Sequence, residues 1–253
     1  MNLALMQANK SLGNTKTNPS VGCVIVKNDV VVGIGNTGFN GVPHAEKNAI
    51  FFNNKDIKNS SLYSTLEPCS NYGKTPPCVK LIIKSKIKKV FYGINDPDIR
   101  SYNKSKKKFK KANIFVKNNI NKDQTDIFYR SYSKYKKKGL PFVTGKIAVS
   151  KDFFTINKKS KWITNKYSRG RVHLLRSKHD CLLTSSSTVI KDDPQLTCRI
   201  KGLEYTSPSK IILDKNLRTP VKSKIIKSAK DSNTIIFFNK NSAKKINLLK
   251  SLG

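Results

Sequence analysis

The chain has 253 residues, which at about 100–200 residues per domain suggests two domains. Its formal net charge is +35, from 50 Lys and Arg against 15 Asp and Glu. No run of 18 apolar residues is present, and the first residues lack the basic start and apolar core of a secretory signal, so we expect neither a membrane span nor an export signal. No period of 20–50 residues repeats, which excludes a solenoid.

The positive charge is spread along the chain as lysine. Only seven of the basic residues are Arg, whereas specific phosphate and base contacts favour the bidentate guanidinium. The densest basic runs are Lys104 to Lys111 and Lys134 to Lys138. Scattered lysine is typical of solvated surface, so we expect no nucleic-acid partner and no membrane partner, although the field would steer a small anionic substrate.

Five cysteines are present, an odd number: Cys23, Cys69, Cys78, Cys181 and Cys198. Without an export signal this favours the reducing cytoplasm, where a cysteine pair binds metal more often than it forms a disulfide.

The first half of the chain predicts alternating helices and strands. Short β-branched runs between turn-prone residues indicate strands, and amphipathic runs indicate helices. In chain order the predictions are helix 3–11, strands 21–26 and 30–34, helix 44–53, strand 61–66, helix 76–86, strands 88–94 and 113–116, and helix 122–137. Such alternation predicts a layered α/β domain.

The tripeptide Gly139-Leu140-Pro141 interrupts this pattern. A second α/β region follows, with strand 142–149, helix 165–177, strands 180–184, 210–213 and 233–238, and a final helix. We therefore predict domains over residues 1–138 and 141–253.

The most informative motif is His44-Ala45-Glu46, followed by Pro68-Cys69 and then Cys78. One His and two Cys give three zinc ligands and leave a fourth position open, as in catalytic zinc sites. Zinc deaminases combine H-x-E with P-C-x-x-C, and their Glu carries protons without binding the metal, so Glu46 is the candidate proton carrier. Residues two apart on a helix point about 200° apart, so His44 and Glu46 can share one site only at a helix start. The insert between Cys69 and Cys78 must loop out to bring the two thiols together.

These residues resemble the bifunctional riboflavin-biosynthesis deaminase/reductase family. The matching stretches in the first half are NPSVGCVIV at 18–26, PHAE at 43–46, TLEPCSNYGKTPPC at 65–78 and NDPD at 95–98. Those in the second half are PFVTGKIAVSKD at 141–152, SKWIT at 160–164, LLRSKHDCLLTSSSTVIKDDPQLTCR at 174–199 and IILDKNLRTP at 211–220. The resemblance implies a cytidine-deaminase-like three-layer α/β/α domain, followed by an incomplete dihydrofolate-reductase-like α/β domain.

The resemblance also implies two successive reactions. The deaminase would replace the 2-amino group of 2,5-diamino-6-(5-phosphoribosylamino)pyrimidin-4(3H)-one by oxygen, giving 5-amino-6-(5-phosphoribosylamino)uracil. His44, Cys69 and Cys78 would hold Zn²⁺, Glu46 would shuttle protons, and Asn18 would touch the substrate. The reductase would then use NADPH to reduce the ribosyl group to ribityl.

By position, Ser160, Arg176, Leu196 and Arg199 match substrate-contacting residues of the reductase. Two arginines suit a phosphate, because a guanidinium binds it bidentately. Residues matching the cofactor contacts are Trp162, Thr188 and Asp192.

The chain departs from the family in two places. Lys151-Asp152-Phe153 stands where the family usually has Leu-Asp-Gly, and we take Phe to be unable to adopt the strained backbone angles that Gly allows, so we expect that loop to differ. The family's reductase also continues with a glycine-rich cofactor segment that is not present before Gly253. We therefore expect an apparently truncated reductase with weak NADPH binding and little reduction.

Two alternatives stay open. The first is a deaminase of nucleic-acid bases, favoured by the +35 charge but opposed by the long cysteine insert and the second domain. The second is a basic, zinc-stabilised RNA-binding module, for which steep salt-dependent RNA binding without turnover would be diagnostic. Members of the family tend to be dimeric or larger, so a homodimer is compatible with the resemblance.

Overall fold

A computed structural model describes residues 1–51, 56–73, 75–155, 162–239 and 242–253. The chain divides into two compact units, Met1–Gly145 and Lys146–Gly253. None of the helices within the described ranges has the length and apolar character needed to cross a bilayer.

The first unit is built on a five-stranded sheet with the strand order β2-β1-β3-β4-β5. Strand β1 is antiparallel to β2 and β3, and β3, β4 and β5 are mutually parallel. The strands are β1 (Gly22–Lys27), β2 (Val30–Asn36), β3 (Ser61–Leu66), β4 (Lys89–Ile94) and β5 (Phe115–Lys117). The helices are α1 (Asn2–Ser11), α2 (Ala45–Phe51), α3 (Cys78–Lys84), α4 (Ser105–Lys111) and α5 (Lys122–Lys138).

Close glycine contacts show that helices cover both faces of this sheet. A Cβ on Gly22 would collide with the backbone of α1 at Ala4 and Ala8. Gly35 pairs with Cys23, one residue along β1 and therefore on the opposite face, and its Cβ would collide with α2. Helices α3 and α4 continue the layer that α2 begins, whereas Gly93 meets α5 on the α1 side. The predicted three-layer α/β/α architecture is confirmed.

The second unit contains a three-stranded parallel sheet with the order β6-β7-β8. Its strands are β6 (Cys181–Ser185), β7 (Ser209–Leu213) and β8 (Thr234–Phe237), and its helices are α6 (Lys166–Ser177), α7 (Ser186–Asp192), α8 (Lys224–Lys227) and α9 (Ala243–Leu252). A small core of Val189, Ile212, Ile225 and Ile226 lies on one face of this sheet. On the sheet's other face Leu183, Leu213 and Phe237 are exposed.

Most predicted elements are confirmed to within two residues, and the differences have physical reasons. The helix predicted for 76–86 begins only at Cys78, because Pro77 takes the extended backbone conformation of an N-cap. Helices α4, α7 and α8 were not predicted, since none shows a long apolar period. Part of the helix predicted for 44–53 lies outside the described residues.

The strand predicted for 142–149 is wrong. These residues form no ladder, and Val143 and Ile147 are exposed. An alternating pattern makes a strand only where a partner strand accepts its hydrogen bonds.

The 150–154 turn also differs from expectation. Phe153 adopts φ 64°, in the left-handed region that Gly favours, so the assumption that Phe would exclude this conformation is wrong. The Ser150 hydroxyl accepts a hydrogen bond from the Phe154 amide at 3.0 Å, and the Ser150 amide donates to the Phe154 carbonyl at 2.9 Å. These two bonds close the turn and offset the strain at Phe153.

Candidate metal centre and active site

Three potential metal ligands meet at the carboxyl end of β3. His44 directly precedes α2, Cys69 follows β3 after Glu67 and Pro68, and Cys78 opens α3. The His44 Nδ1 atom lies 3.5 Å from the Cys69 Sγ atom and 3.3 Å from the Cys78 Sγ atom. Because α2 begins at Ala45, the bend in the chain turns His44 and Glu46 toward one point, as the two-residue spacing requires.

The donor set fits zinc. All three ligand atoms lie within 4.8 Å of one another. Tetrahedral zinc with Zn–S near 2.3 Å and Zn–N near 2.0 Å separates sulfur from nitrogen by about 3.5 Å, close to the observed distances. Imidazole nitrogen and thiolate sulfur bind zinc well, whereas magnesium and calcium prefer oxygen ligands, so this donor set favours zinc.

The ionisation of the cluster suits a cation. A hydrogen bond with the Cys78 side chain is the main reason that the pKa of the Cys69 thiol is lowered to about 4, and His44 lowers it further. The hydrogen bond with Cys69 raises the pKa of His44. The low pKa favours the thiolate of Cys69, the form of cysteine that binds metals, whereas the hydrogen bond with Cys69 and burial raise the pKa of the Cys78 thiol.

Glu46 is a buried carboxyl group beside the cluster. It lies in the first turn of α2 and is 4% exposed. Its Oε2 atom is 3.4 Å from the Cys78 Sγ atom. Burial raises the pKa of Glu46, since the charged form loses its hydration. Among the described residues no Lys or Arg forms an ion pair with Glu46, and the nearby His44 opposes the rise in pKa only in part.

A cavity of about 290 Å³ opens beside the cluster, and His44, Glu46 and Cys69 form part of its lining. Asn18 also lines it and donates from Nδ2 to the Gly41 carbonyl at 3.0 Å. Gly41 has φ 88°, and a Cβ there would collide with Asn18, so this glycine allows the close approach. The structure thus brings together all five residues that the sequence assigned to the deaminase site.

A further part of the cavity wall was not predicted. It is formed by Asp96, Asp98, Arg100, Tyr132 and Lys136. Burial raises the pKa of Asp96 to about 6, whereas hydrogen bonds from Arg100 hold the pKa of Asp98 well below its usual range. In the sequence, NDPD indicates the end of a strand and a match to the family, and it assigns no site role to Asp96 or Asp98. Lys136 belongs to the basic run interpreted as solvated surface, and nothing in the sequence marks it as different from its neighbours.

The wall that carries Asp96 is anchored by a second buried carboxylate, Glu67, which is 3% exposed. Its oxygens accept hydrogen bonds from the amides of Asp96, Asn103 and Ser105 and from the Ser105 hydroxyl, at 2.8–3.2 Å. Four donors satisfy this carboxylate without a cation.

In the second unit, Arg176 and Arg199 lie around His173. The Arg199 amide donates to His173 Nδ1 at 3.2 Å, and Arg176 Nη1 donates to the Thr197 carbonyl at 3.0 Å. The Nε atom of Arg176 is buried and has no hydrogen-bond partner among the described residues. Burial, and then the charge of Arg199, lower the pKa of Arg176. The partly buried guanidinium of Arg176 therefore lies within the electrostatic influence of Arg199, whose side chain is exposed.

The remaining predicted residues of this unit are more widely spread. Thr188 and Asp192 lie one helical turn apart on α7, and Leu196 packs against the small core. Trp162 is 55% exposed, and the Arg169 guanidinium lies 4.6 Å from its ring centroid. Ser160 lies outside the described residues.

Two protein families match the chain. Residues 1–94 match the family described as "Cytidine and deoxycytidylate deaminase zinc-binding region", and residues 141–251 match "RibD C-terminal domain".

Curated relatives match almost the whole chain. A riboflavin biosynthesis protein RibD from Actinobacillus pleuropneumoniae is 34% identical over 100% of this chain and 67% of its own length. The RibD protein from Aquifex aeolicus is 37% identical over 96% of this chain and 68% of its own length. The chain therefore spans about two thirds of these relatives.

Two solved structures are similar to this chain over almost its whole length. A diaminohydroxyphosphoribosylaminopyrimidine deaminase/5-amino-6-(5-phosphoribosylamino)uracil reductase from Thermotoga maritima has a TM-score of 0.88 and 35% identity, covering 96% of this chain and 70% of its own. The Acinetobacter baumannii RibD in its form 1 has a TM-score of 0.85 and 33% identity, with 98% and 70% coverage.

Proposed function

The chain belongs to the RibD family of riboflavin-biosynthesis enzymes, and we propose that the cavity beside His44, Cys69 and Cys78 is where it deaminates its substrate. The enzyme joins a zinc-type deaminase to an NADPH-dependent reductase. We assign the deaminase to residues 1–138 and the reductase to residues 141–253. Phosphoribosylaminopyrimidines are its substrates, in the order deamination and then reduction of the ribosyl side chain.

His44, Cys69 and Cys78 hold the zinc ion in this proposal. Zinc bound by three protein ligands supplies an open position and Lewis-acid activation of water. Glu46 then moves protons at its Oε atoms, taking one from the attacking water and delivering protons to the departing amine. Asn18, fixed by its bond to the Gly41 carbonyl, orients the pyrimidine.

One observation carries this proposal. An imidazole nitrogen and two thiol sulfurs within 4.8 Å of one another lie beside a buried carboxyl group, at the side of a cavity large enough for a pyrimidine ring. A purely structural zinc site has four closed protein ligands and needs neither the carboxyl group nor the cavity.

The test is the variant Glu46→Gln in the full chain. We expect it to retain zinc, because Glu46 is not a ligand, and to lose deamination of the phosphoribosylaminopyrimidine by roughly 10²–10⁴-fold, the usual contribution of a positioned acid–base group. Zinc content by atomic absorption and ammonia release by a coupled assay measure the two effects.

The matched control is Asp56→Asn, which neutralises an exposed carboxylate remote from the cavity and should change neither measurement. Full deamination by Glu46→Gln, or a wild-type protein that binds no zinc, would contradict the proposal. An RNA hairpin offered to the wild-type protein tests the nucleic-acid alternative in the same assay.

In the second unit we propose that Arg176 and Arg199 bind the substrate phosphate, and that Leu196 and Ser160, the latter outside the described residues, also contact the substrate. The buried, unpartnered Nε of Arg176 supports this, because an anion would complete its hydrogen bonding. Trp162, Thr188 and Asp192 are proposed to contact NADPH. The Trp162 ring is 55% exposed and has the Arg169 guanidinium over it, which supports this assignment by placing an aromatic surface beside a cation.

A cytoplasmic location and a homodimer complete the proposal. All five cysteines are free thiols, and two of them must stay reduced to bind metal. Sedimentation at twice the chain mass of 28.5 kDa would support the dimer, and sedimentation at the single mass would contradict it.

A further inference from the structure

We propose that Lys136 and Arg100 form a clamp on Asp98 that positions one wall of the deaminase cavity for substrate binding. The clamp rests on the proposed deaminase site, and its residues line the same cavity without being metal ligands. It makes Lys136 a positioning residue, which acts through Asp98 rather than by touching the reacting atoms.

Two cations converge on the Asp98 carboxylate. Arg100 approaches it with both prongs of its guanidinium, Nε to Oδ1 at 2.9 Å and Nη2 to Oδ2 at 2.6 Å. Lys136 Nζ donates to Oδ2 at 3.0 Å. The Asp98 side chain is only 12% exposed and that of Lys136 is 22% exposed, so their ion pair is better shielded from water than a surface pair.

The clamped residue holds the wall that faces the cavity. The Asp98 amide donates to Asp96 Oδ1 at 3.0 Å, and the Asp98 carbonyl accepts the amides of Ser101 and Tyr102 at 2.8 and 2.9 Å. Tyr132 donates from its hydroxyl to the same Asp96 oxygen at 3.2 Å. Tyr132 and Lys136 are four residues apart on α5 and lie on one face of the helix. Helix α5 therefore contacts the wall at two positions one helical turn apart, through Tyr132 and through Lys136.

The clamp also reaches the cysteine insert. Asn71 lies two residues after the metal ligand Cys69 and donates from its side-chain amide to the Arg100 carbonyl. The insert, the wall and α5 are thus joined through Arg100 and Asp98. Loss of the Lys136 contact would leave Tyr132 as the contact between α5 and the wall, and would let Asp98 and the chain joined to the insert move more freely.

Charge balance separates this role from direct binding of the substrate phosphate. Lys136 and Arg100 both point at Asp98, and Asp96 lies beside it, so two cations face two carboxyl groups and leave no excess positive charge for an anion. Lys136 matters more than Arg100, whose side chain is 73% exposed and therefore better solvated.

The experiment compares Lys136→Met, Lys136→Arg and Lys137→Met in the full-length, zinc-loaded chain. We expect Lys136→Met to raise KM for the phosphoribosylaminopyrimidine about five- to tenfold with kcat within about twofold of wild type, as for the loss of one charge-assisted bond outside the reacting centre. Lys136→Arg keeps the charge and should restore KM. Lys137 is exposed, adjacent on α5 and does not line the cavity, so Lys137→Met removes the same charge and should leave KM unchanged.

The dephosphorylated form of the substrate distinguishes the clamp from a phosphate ligand. The clamp predicts the same relative rise of KM for both forms. A rise confined to the phosphorylated form, or an unchanged KM in Lys136→Met, would overturn it.

Amide hydrogen exchange provides a readout that does not depend on turnover. The Ser101 and Tyr102 amides, which donate to the Asp98 carbonyl, should exchange faster in Lys136→Met and at wild-type rates in Lys137→Met. An inactive wild-type protein would refute the proposed deaminase, whereas unchanged exchange in Lys136→Met would refute the clamp.

Discussion

Asp96 is a carboxyl group held in a mostly dry part of the cavity wall. It is 7% exposed, and burial raises its pKa to about 6, with the nearby carboxylates of Asp98 and Glu67 adding to the effect. Hydrogen bonds from the Asp98 amide and Tyr132 oppose the shift without cancelling it. A carboxyl whose folded pKa lies above its unfolded value of about 3.9 stabilises the fold when protonated.

This shift predicts a pH dependence of stability. The contribution of protonated Asp96 is complete below about pH 4 and is lost as pH rises through 6, amounting to about 3 kcal/mol for two pKa units. We therefore expect Asp96→Asn, a neutral isostere, to match wild type near pH 4 and to exceed it by up to about 3 kcal/mol at pH 7. Urea unfolding at several pH values measures the free energy of unfolding of each variant. Hydrogen exchange of the β1 and β3 amides reports the same difference for the first unit.

The exposed Asp126→Asn variant is the control, because its side chain is about half exposed in an i, i+4 pair with Lys122 and should show little pH-dependent difference from wild type. A constant difference between Asp96→Asn and wild type from pH 4 to 7 would show that Asp96 is ionised throughout.

Residue types and spacing were enough to predict the metal cluster. His44, Glu46, Cys69 and Cys78 are close in sequence to helix and strand ends, so the motif itself constrains where they meet. The cavity wall that contains Asp98 could not be predicted, because Lys136 contacts Asp98 across 38 residues of sequence. One lysine in a run of similar lysines carries no signal of its partner until the fold brings the partner near.

At the scale of elements, the packing of α1 against the sheet depends on Gly22. The α1 backbone approaches so closely that a Cβ on Gly22 would collide with the Ala4 carbonyl and the Ala8 amide. These are backbone atoms of a helix, which cannot move aside as a flexible side chain can. The contact explains why this strand begins with Gly although Gly weakens strands in general.

We expect Gly22→Ala to destabilise the first unit by about 2 kcal/mol or more, since overpacking of a close contact costs about 1–3 kcal/mol and α1 must shift as a whole. Gly145→Ala is the matched control in the same unit, because its Cβ would meet open space. Thermal unfolding of both variants measures the effect. Equal melting temperatures would show that α1 can withdraw from β1 without cost.

Local patterns predicted elements well where a buried face was present. Strand β3 was predicted to the residue, because its alternating and buried positions are fixed by neighbours on both sides. Helix α4 was missed, because its seven residues carry five lysines and bury only Ser105 and Phe109. Its helical state depends on tertiary contacts with α3 and β5, which a sequence pattern does not contain.

For the whole molecule, the net charge of +35 destabilises the folded state, because like charges repel one another when the chain is compact. Five ion pairs are formed among the described residues, and most involve side chains that water screens. Most of the positive charge therefore has no local negative partner. Two opposite effects of salt follow, since it weakens the ion pairs and also weakens the repulsion between lysines.

Repulsion should dominate, because exposed pairs contribute about 0–1 kcal/mol each, whereas the excess cations act on one another over the Debye length of about 30 Å at 0.01 M salt. We expect potassium chloride from about 0.01 to 0.3 M to raise the melting temperature by at least about 3 °C, corresponding to about 1 kcal/mol for a chain of this size. A variant with Lys107→Glu and Lys111→Glu on α4 should start from a higher melting temperature at low salt and respond less steeply. A melting temperature that falls with salt would show that the ion pairs, including the one between Lys136 and Asp98, outweigh the repulsion.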